Sequence, residues 1–259
     1  MDDAQLLRLL WGSGERLGPR PGPKSDLTME AVVKAGIAVA DDRDGPALSM
    51  RLVATRLGRT PMALYSYVDG KDTLLRLMYD AAHAEFMPLG DDQATEDQSA
   101  LWQVHEWTRA LTGLYARHHW LTELSWSRPV LGPHEQEVLE SLLRRLSPLR
   151  LVAAQEATVA SALLTLCRHT GRLIADARYA KRVTGKGDEQ WWQEQSAAVA
   201  ALGLDLAERF PLSSRLEPGF PEPEAGDDPA QGYLERSARA QLRRTVTLLI
   251  QGAMAHEGN

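Results

Sequence analysis

Helical spacing of apolar residues is the feature that most constrains the fold of this chain. After Thr28, the side chains of Val33, Ile37 and Ala40 recur every three or four residues, which places them on one face of a helix. No segment alternates between apolar and polar residues for long enough to require a strand. A chain of 259 residues can bury a core without disulfides or metals. The sequence therefore predicts an all-α fold.

Composition excludes several classes of protein. The single cysteine, Cys167, rules out a disulfide framework and a cysteine-based zinc finger, and it fits a reducing cytosol. No uncharged apolar run reaches the about 18 residues of a membrane span, and the start Met1–Asp3 has no apolar signal region. We therefore expect a cytoplasmic protein. The net charge of −6 excludes a surface that is basic throughout, but it permits a local basic patch.

Proline and polar residues divide the chain into parts. Three prolines between positions 19 and 23 prevent a helix there, because proline removes a backbone donor and fixes φ. This segment also holds two positive charges, Arg20 and Lys24. A polar linker follows later, at 87–99. The predicted parts are an extended basic arm over 1–25, a helix-turn-helix domain over 26–80 and a larger helical domain over 81–259.

The larger domain shows repeated helical patterns and one irregular segment. The segment Glu217–Pro229 contains four prolines and five acids and is predicted to be a mobile loop. The helical patterns lie at about 100–118, 119–127, 134–146, 149–181, 189–202 and 231–255.

Two short helices joined by a glycine-containing turn are predicted within the smaller domain. Ser49 is a good N-cap for the first helix, which extends to Leu57. Gly58 follows at the position where a left-handed residue is common. Thr60 then caps a second helix over 61–68, whose first residue is proline. This arrangement is typical of a helix-turn-helix.

The charge around this motif suits DNA. The first turn of such a second helix can enter a major groove, where Met62 and Ala63 would contact a thymine methyl. Many helical pairs with a glycine turn bind nothing, so the pattern alone leaves a structural role open. Asp69 is the one acid in residues 45–71, whereas four side chains are basic: Arg51, Arg56, Arg59 and Lys71.

Short stretches of sequence in this region are more specific than the pattern. They are Leu48-Ser49-Met50-Arg51, Val53-Ala54, Leu57-Gly58, Met62-Ala63-Leu64-Tyr65, Tyr67-Val68 and Gly70-Lys71-Asp72. Together they resemble the DNA-binding domain of TetR-family transcriptional regulators over about Leu27–Asp80. The rest of the chain resembles the family's ligand-binding domain only in its helix order and in the turn at 131–133.

The resemblance implies roles for particular side chains. Arg51 would reach a guanine or a phosphate, Lys71 would meet a phosphate, and the first turn of the second helix would face base edges. Two positions depart from the family pattern, since Tyr67 replaces a frequent histidine and Arg59 a frequent valine. The expected DNA-binding residues are Arg20, Lys24, Arg51, Thr60, Pro61, Met62, Ala63, Tyr65, Tyr67 and Lys71.

Pairing of two chains is expected because one helix-turn-helix contacts few base pairs, whereas a dimer contacts both halves of a palindromic operator in double-stranded DNA. Two helices, at about 149–181 and 231–255, offer apolar rows. These rows can equally serve the core of one chain, but the family resemblance favours a homodimer built as a four-helix bundle. The rows are Val152, Val159, Leu166 and Leu173, with Leu163 and Ala177 beside them, and Leu234, Ala238, Leu242, Val246 and Ile250.

A small-molecule effector site is expected in the larger domain, where six of the seven tryptophans lie. Bulky tryptophans usually pack in a core, yet with nearby polar groups they can also line an apolar pocket. Thr165, His169 and Arg172 share one helix face, because they are spaced i, i+4 and i+7. The candidate ligand-binding residues are Trp102, Glu106, Trp107, Trp126, Thr165, His169 and Arg172.

Catalytic fingerprints are missing from the sequence: it has no His-Glu-x-x-His, phosphate-loop or dinucleotide-binding motif. Cys167 has apolar neighbours and is predicted to be a buried, inert thiol. We therefore expect no enzyme activity, cofactor or metal. The sequence predicts a TetR-type repressor released from its operator by a small molecule. One alternative is a small-molecule binding or carrier protein that has lost DNA binding. Another is a helical enzyme, for which no base and nucleophile pair can be named.

Overall fold

The computed structural model describes residues 3–12, 27–42, 47–86, 99–125, 127–219 and 231–255, which form helices joined by turns and short irregular segments. These residues form eleven α-helices and no strand, which confirms the predicted all-α class. The helices are α1 (Asp3–Leu10), α2 (Met29–Ala40), α3 (Met50–Arg56), α4 (Pro61–Leu64), α5 (Lys71–His83), α6 (Ala100–Arg117), α7 (Pro133–Leu146), α8 (Ala153–Thr184), α9 (Asp188–Ala201), α10 (Leu206–Arg209) and α11 (Tyr233–Ala255).

Local side-chain contacts begin and end the helices of the smaller domain. Thr28 Oγ1 accepts a hydrogen bond from the Ala31 amide at 3.1 Å and caps α2. Ser49 Oγ accepts one from the Leu52 amide at 3.3 Å and caps α3. After α3, Gly58 has a φ of +63°, a conformation that glycine adopts without strain. These contacts confirm the predicted caps at Thr28 and Ser49 and the turn at Gly58, whereas Thr60, the third predicted cap, makes no side-chain cap bond to α4.

The smaller domain is held together by apolar residues from α2 to α5. Val32, Val53, Leu64 and Leu74 are buried in one core. Each helix is too short to be stable alone, so packing of these faces supplies most of its stability. The core lies on one side of α3 and α4, which leaves their other side exposed.

The predicted arm over 1–25 is wrong for residues 3–10, which form α1. Leu6, Leu9 and Leu10 are spaced so that they lie on one side of a helix. The prediction gave weight to the prolines further along the chain and overlooked this apolar face. Leu6 is buried in the core, and α1 packs on α5.

Polar contacts from α1 and the residue after it reach both domains. Asp3 Oδ1 lies 2.7 Å from Nη1 of Arg76 on α5. Trp11 Nε1 donates a hydrogen bond to the Leu131 carbonyl at 3.0 Å, just before α7. The start of the chain therefore contacts the smaller domain and the larger one together.

Two predicted helices differ from the structure, and one short helix was not predicted. The helix expected over 61–68 ends at Leu64, and the amides of Tyr67 and Val68 both bond to the Leu64 carbonyl in the turn that follows. The helix expected over 119–127 is a 3-10 helix, His119–Glu123. The short α10 has no counterpart in the predictions.

The larger domain is built around α8, which packs against α6 and α11. A side-chain carbon on Gly171 of α8 would lie 2.4 Å from Tyr115 Cβ on α6, so only glycine allows this close approach. Most of the two apolar rows expected at a dimer interface lies in this core instead, because α6 covers that side. The buried members are Val159, Leu163, Ala177, Ala238, Leu242, Val246 and Ile250.

Several predictions concern residues outside the described part of the chain. They are the basic residues Arg20 and Lys24 of the arm, the linker over 87–98, Trp126 and most of the loop Glu217–Pro229. Within the described helices, none is long and apolar enough to cross a membrane.

Candidate nucleic-acid interface and adjoining cavities

The first turn of α4 projects from the smaller domain. Thr60 and Pro61 are exposed, and Met62 is 76% exposed. The opposite side of the helix is anchored by Leu64, which is fully buried. Thr60 begins α4 without a side-chain cap bond, so its hydroxyl is not used by the helix. This geometry fits the recognition helix of a helix-turn-helix.

Basic side chains surround this turn. Arg51 on α3, Arg56 at its end and Arg59 in the connecting turn are all exposed. Lys71 is exposed at the first position of α5. Tyr65, just after α4, is 48% exposed. Four cations beside a projecting helix form a surface that is suited to phosphate contacts.

Tyr67 does not belong to this surface, although the resemblance assigned it to DNA. Its side chain is buried, and its hydroxyl donates a hydrogen bond to the Leu27 carbonyl at 2.8 Å. The bond ties the turn after α4 to the start of α2. Tyr67 therefore has a structural role, and the assignment to DNA is corrected.

Two cavities adjoin each other where α5 meets α7 and the segment before it. Their volumes are about 310 Å³ and about 380 Å³, and Tyr79, Pro129 and Glu135 line both. The first, here called the Arg76 cavity, is also lined by Asp72, Arg76, Ser125 and Arg128. The second, the His83 cavity, is also lined by His83, Tyr115, Gln136, Leu139 and Leu164.

Two polar groups that line the His83 cavity, His83 and Glu135, have displaced pKa values. Burial lowers the pKa of His83 to about 4, against the hydrogen bond between Nδ1 and the Tyr79 carbonyl at 2.7 Å. Burial raises the pKa of Glu135, although its carboxylate accepts hydrogen bonds from the Leu131 amide and the Tyr79 side chain. At neutral pH His83 is therefore an uncharged imidazole.

Asp80 joins the two domains through the first turn of α7. Its Oδ1 accepts hydrogen bonds from the amides of His134 and Glu135, both at 3.0 Å. α7 has no side-chain cap of its own, so Asp80 on α5 satisfies amides that the helix leaves without partners. Burial raises the pKa of Asp80.

A second polar contact between the domains involves His118 at the end of α6. Nδ1 lies 2.8 Å from Asp41 Oδ1 at the end of α2, and Nε2 lies 3.0 Å from Glu85 Oε2 beyond α5. Burial works against the charged ring, but the hydrogen bonds to Asp41 and Glu85 raise the pKa of His118 above its ordinary value. The charged form, which has two N–H donors, fits both carboxylates.

Comparison with known proteins identifies the family. Residues 95–228 match the family model described as "Tetracyclin repressor-like, C-terminal domain". The chain is 35% identical to the HTH-type transcriptional repressor DrrR1 of Streptomyces coeruleorubidus over 222 residues, which cover 83% of this chain and 77% of that one. This chain belongs to the TetR family. It is a DNA-binding transcriptional regulator, and nothing supports the alternative of a carrier that has lost DNA.

Solved structures share the TetR fold of this chain. ActR of Streptomyces coelicolor, in complex with actinorhodin, has a TM-score of 0.67 at 22% identity and covers 91% of this chain and 99% of its own. BioQ of Mycobacterium smegmatis has a TM-score of 0.54 at 20% identity, and the match covers 89% of this chain and 99% of BioQ. At these identities the similarity shows the fold.

The described ligand-binding residues expected from the sequence lie outside the two cavities of this TetR-family structure. Trp107 is buried and its Nε1 donates to Ser141 Oγ at 2.9 Å, as in a core. Thr165 and His169 are exposed, because the opposite face of α8 packs on α6. The remaining described candidates, which are half-buried, are Trp102, Glu106 and Arg172. None of the described candidates lines either cavity.

Sequence reasoning missed the cavity residues Tyr79, His83, Tyr115 and Glu135. One signal was present, because an aromatic residue and a histidine four positions apart share a face of the helix that joins the domains.

The single cysteine of this regulator is buried. Cys167 is fully buried, as predicted, and burial raises its pKa to about 12, which keeps the thiol protonated. Among the described residues, no group of three or more histidines, cysteines and acids is placed to hold a metal ion. The relatives are transcriptional regulators.

Proposed function

We propose that this regulator is a cytoplasmic repressor that binds a palindromic operator as a homodimer. A small molecule that enters the cavities beside Tyr79 and Glu135 releases it from DNA. The observation that supports this proposal most directly is the projecting first turn of α4 among four exposed cations. The relative DrrR1 is itself a transcriptional repressor.

The DNA-binding surface divides into two kinds of contact. Arg51, Arg59 and Lys71 face phosphates, because they are exposed cations on the elements next to the turn. Met62 and Ala63 face base edges, where an apolar side chain distinguishes thymine by its methyl group. The first group supplies affinity and the second supplies sequence preference.

The homodimer forms through α8 and α11. These helices keep large apolar side chains exposed on one chain even though their inner faces are buried. Pairing would cover this surface and set the two α4 helices about 34–36 Å apart, or a multiple of that distance, for successive major grooves. The exposed side chains are Leu173 on α8, Leu248 and Met254 on α11, and Val152 immediately before α8.

Helix α5 couples the ligand to DNA because it belongs to both sites. Lys71 lies at its exposed start, while Tyr79, Asp80 and His83 lie towards its buried end, about 12–18 Å away at 1.5 Å per residue. A ligand that binds more tightly to a conformation in which the two α4 helices cannot enter successive major grooves increases the population of that conformation. The regulator is then released from DNA. ActR, which shares the fold, has been solved with actinorhodin and with (S)-DNPA.

Salt dependence of binding to a random-sequence duplex tests the proposed surface. Arg51→Ala and Lys71→Ala should each make the slope of log affinity against log salt shallower by about one. Arg144→Ala removes an exposed arginine on α7 that pairs with Glu137, and it should leave the slope unchanged. If the wild type and all three variants had the same slope, Arg51 and Lys71 would not contact DNA phosphates as proposed.

A further inference from the structure

We infer that the His83 cavity binds an uncharged, largely apolar aromatic ligand whose hydroxyl group donates a hydrogen bond to Nε2 of His83. The inference rests on the proposed function, which places the effector in these cavities. It specifies the chemistry of that effector from the side chains that line the cavity.

The cavity walls favour an aromatic or other apolar ligand. The rings of Tyr79 and His83 lie with centroids 4.3 Å apart, and Tyr115 meets His83 edge-on at 6.1 Å. All three side chains are buried. Leu139 and Leu164 line the same space. An aromatic ligand would stack on or meet the edges of these rings, and it would remove apolar surface from water.

The lining of the cavity favours an uncharged ligand. No lysine or arginine lines it in the described part of the chain, so an anion would have no cationic partner there. Glu135 is the lining carboxylate, and its hydrogen bonds come from the Leu131 amide and the Tyr79 side chain. Burial is the main cause of the low pKa of His83, and the neighbouring His118, His134 and Arg168 lower that pKa further, so a cation beside the ring is disfavoured as well. A buried charge without a partner is costly.

His83 offers the ligand a hydrogen-bond acceptor. Nδ1 lies 2.7 Å from the Tyr79 carbonyl, which can only accept, so Nδ1 bears the proton. With the ring neutral, Nε2 has a lone pair and no proton. No described residue donates a hydrogen bond to Nε2. A hydroxyl group on the ligand satisfies this acceptor, whereas an ether or a carbonyl oxygen does not.

Three naphthalene probes test the ligand chemistry on the wild-type protein. Titration calorimetry at neutral pH compares 2-naphthol, which is neutral and donates, with 2-methoxynaphthalene, which cannot donate, and with 2-naphthoate, which is an anion. We expect 2-naphthol to bind about tenfold tighter than either of the others, a ratio that one hydrogen bond can supply. Equal binding of all three, or no binding of 2-naphthol, would overturn the inference.

Variants of His83 test the acceptor itself. In His83→Phe the preference for 2-naphthol over 2-methoxynaphthalene should fall to within about twofold, since the bond is lost and the ring remains. His169→Phe changes an exposed histidine on α8 and should keep the wild-type preference. An unchanged preference in folded His83→Phe would refute the role of Nε2. If that variant fails to fold, the three-probe comparison on wild type decides the question.

Binding of the random-sequence duplex, measured on the same preparation, separates two kinds of failure. Wild-type protein that binds DNA but does not prefer 2-naphthol contradicts the ligand chemistry alone. Wild-type protein that binds 2-naphthol but not DNA contradicts the proposed function and leaves the cavity chemistry intact.

Discussion

A side-chain carbon placed on Gly132 would lie 2.1 Å from Oδ1 of Asp80. Gly132 has a φ of −79°, which any residue adopts, so glycine is needed there for space and not for backbone freedom. The same oxygen bonds to the first amides of α7. Contact between α5 and α7, and thus between the two domains, depends on the absence of a side chain at position 132.

Gly132→Ala should push Asp80 away from α7 and lower the free energy of unfolding by about 1–2 kcal/mol, the usual cost of losing a helix cap. Urea denaturation measures the change. Gly113→Ala on α6 is a matched control, because the nearest atom to its new carbon is Arg117 Nη1 at 3.9 Å. That control should be neutral or stabilising by up to about 1 kcal/mol. Similar effects from both substitutions would show that the Asp80 contact is unimportant.

The contact of His118 with Asp41 and Glu85 predicts a pH dependence of stability. The pKa of His118 is raised above 6.5 in the folded protein. Its stabilisation is therefore complete below the unfolded pKa of about 6.5 and is lost as the pH rises through the folded value. Unfolding free energies measured between pH 6 and pH 8 should show wild type losing its advantage over His118→Gln as the pH rises.

His169→Gln serves as the control for this measurement, since His169 is exposed on α8. The unfolding free energy of His169→Gln should fall with rising pH as that of the wild type does. If the difference in unfolding free energy between wild type and His118→Gln grew as the pH rises, the pKa of His118 would be lowered on folding and not raised.

Tyr65 and Tyr67 should respond oppositely to loss of their hydroxyl groups. Tyr67→Phe removes the bond to the Leu27 carbonyl and should lower stability by about 1 kcal/mol without changing affinity for the duplex. Tyr65→Phe changes an exposed side chain and should weaken DNA binding while leaving stability unchanged. Urea denaturation and duplex titration of both variants measure this. Weaker DNA binding by folded Tyr67→Phe would restore the original assignment.

Local interactions explain which parts of the fold could be predicted. Thr28 and Ser49 cap helices three residues ahead of the amides they bind, so the neighbouring sequence contains the whole interaction. Tyr67 was misassigned because its partner, Leu27, is 40 residues away. Nothing near position 67 indicates that bond.

The cavities escaped prediction for the same reason. Tyr79 and His83 lie on α5, Tyr115 on α6 and Glu135 on α7, so only tertiary packing brings them together. The number of tryptophans did not indicate where the cavities lie, because Trp107 packs in the core and donates its N–H to Ser141 there.

Selection of random duplex DNA by the purified protein near physiological salt tests the central claim most directly. A dimeric operator-binding repressor should enrich a two-fold symmetric sequence, whose half-sites are separated by one helical turn or a multiple of it. Met62→Ala should then change the preferred bases within each half-site. Enrichment of a sequence without two-fold symmetry, or of no sequence at all, would contradict the proposed dimeric operator-binding repressor.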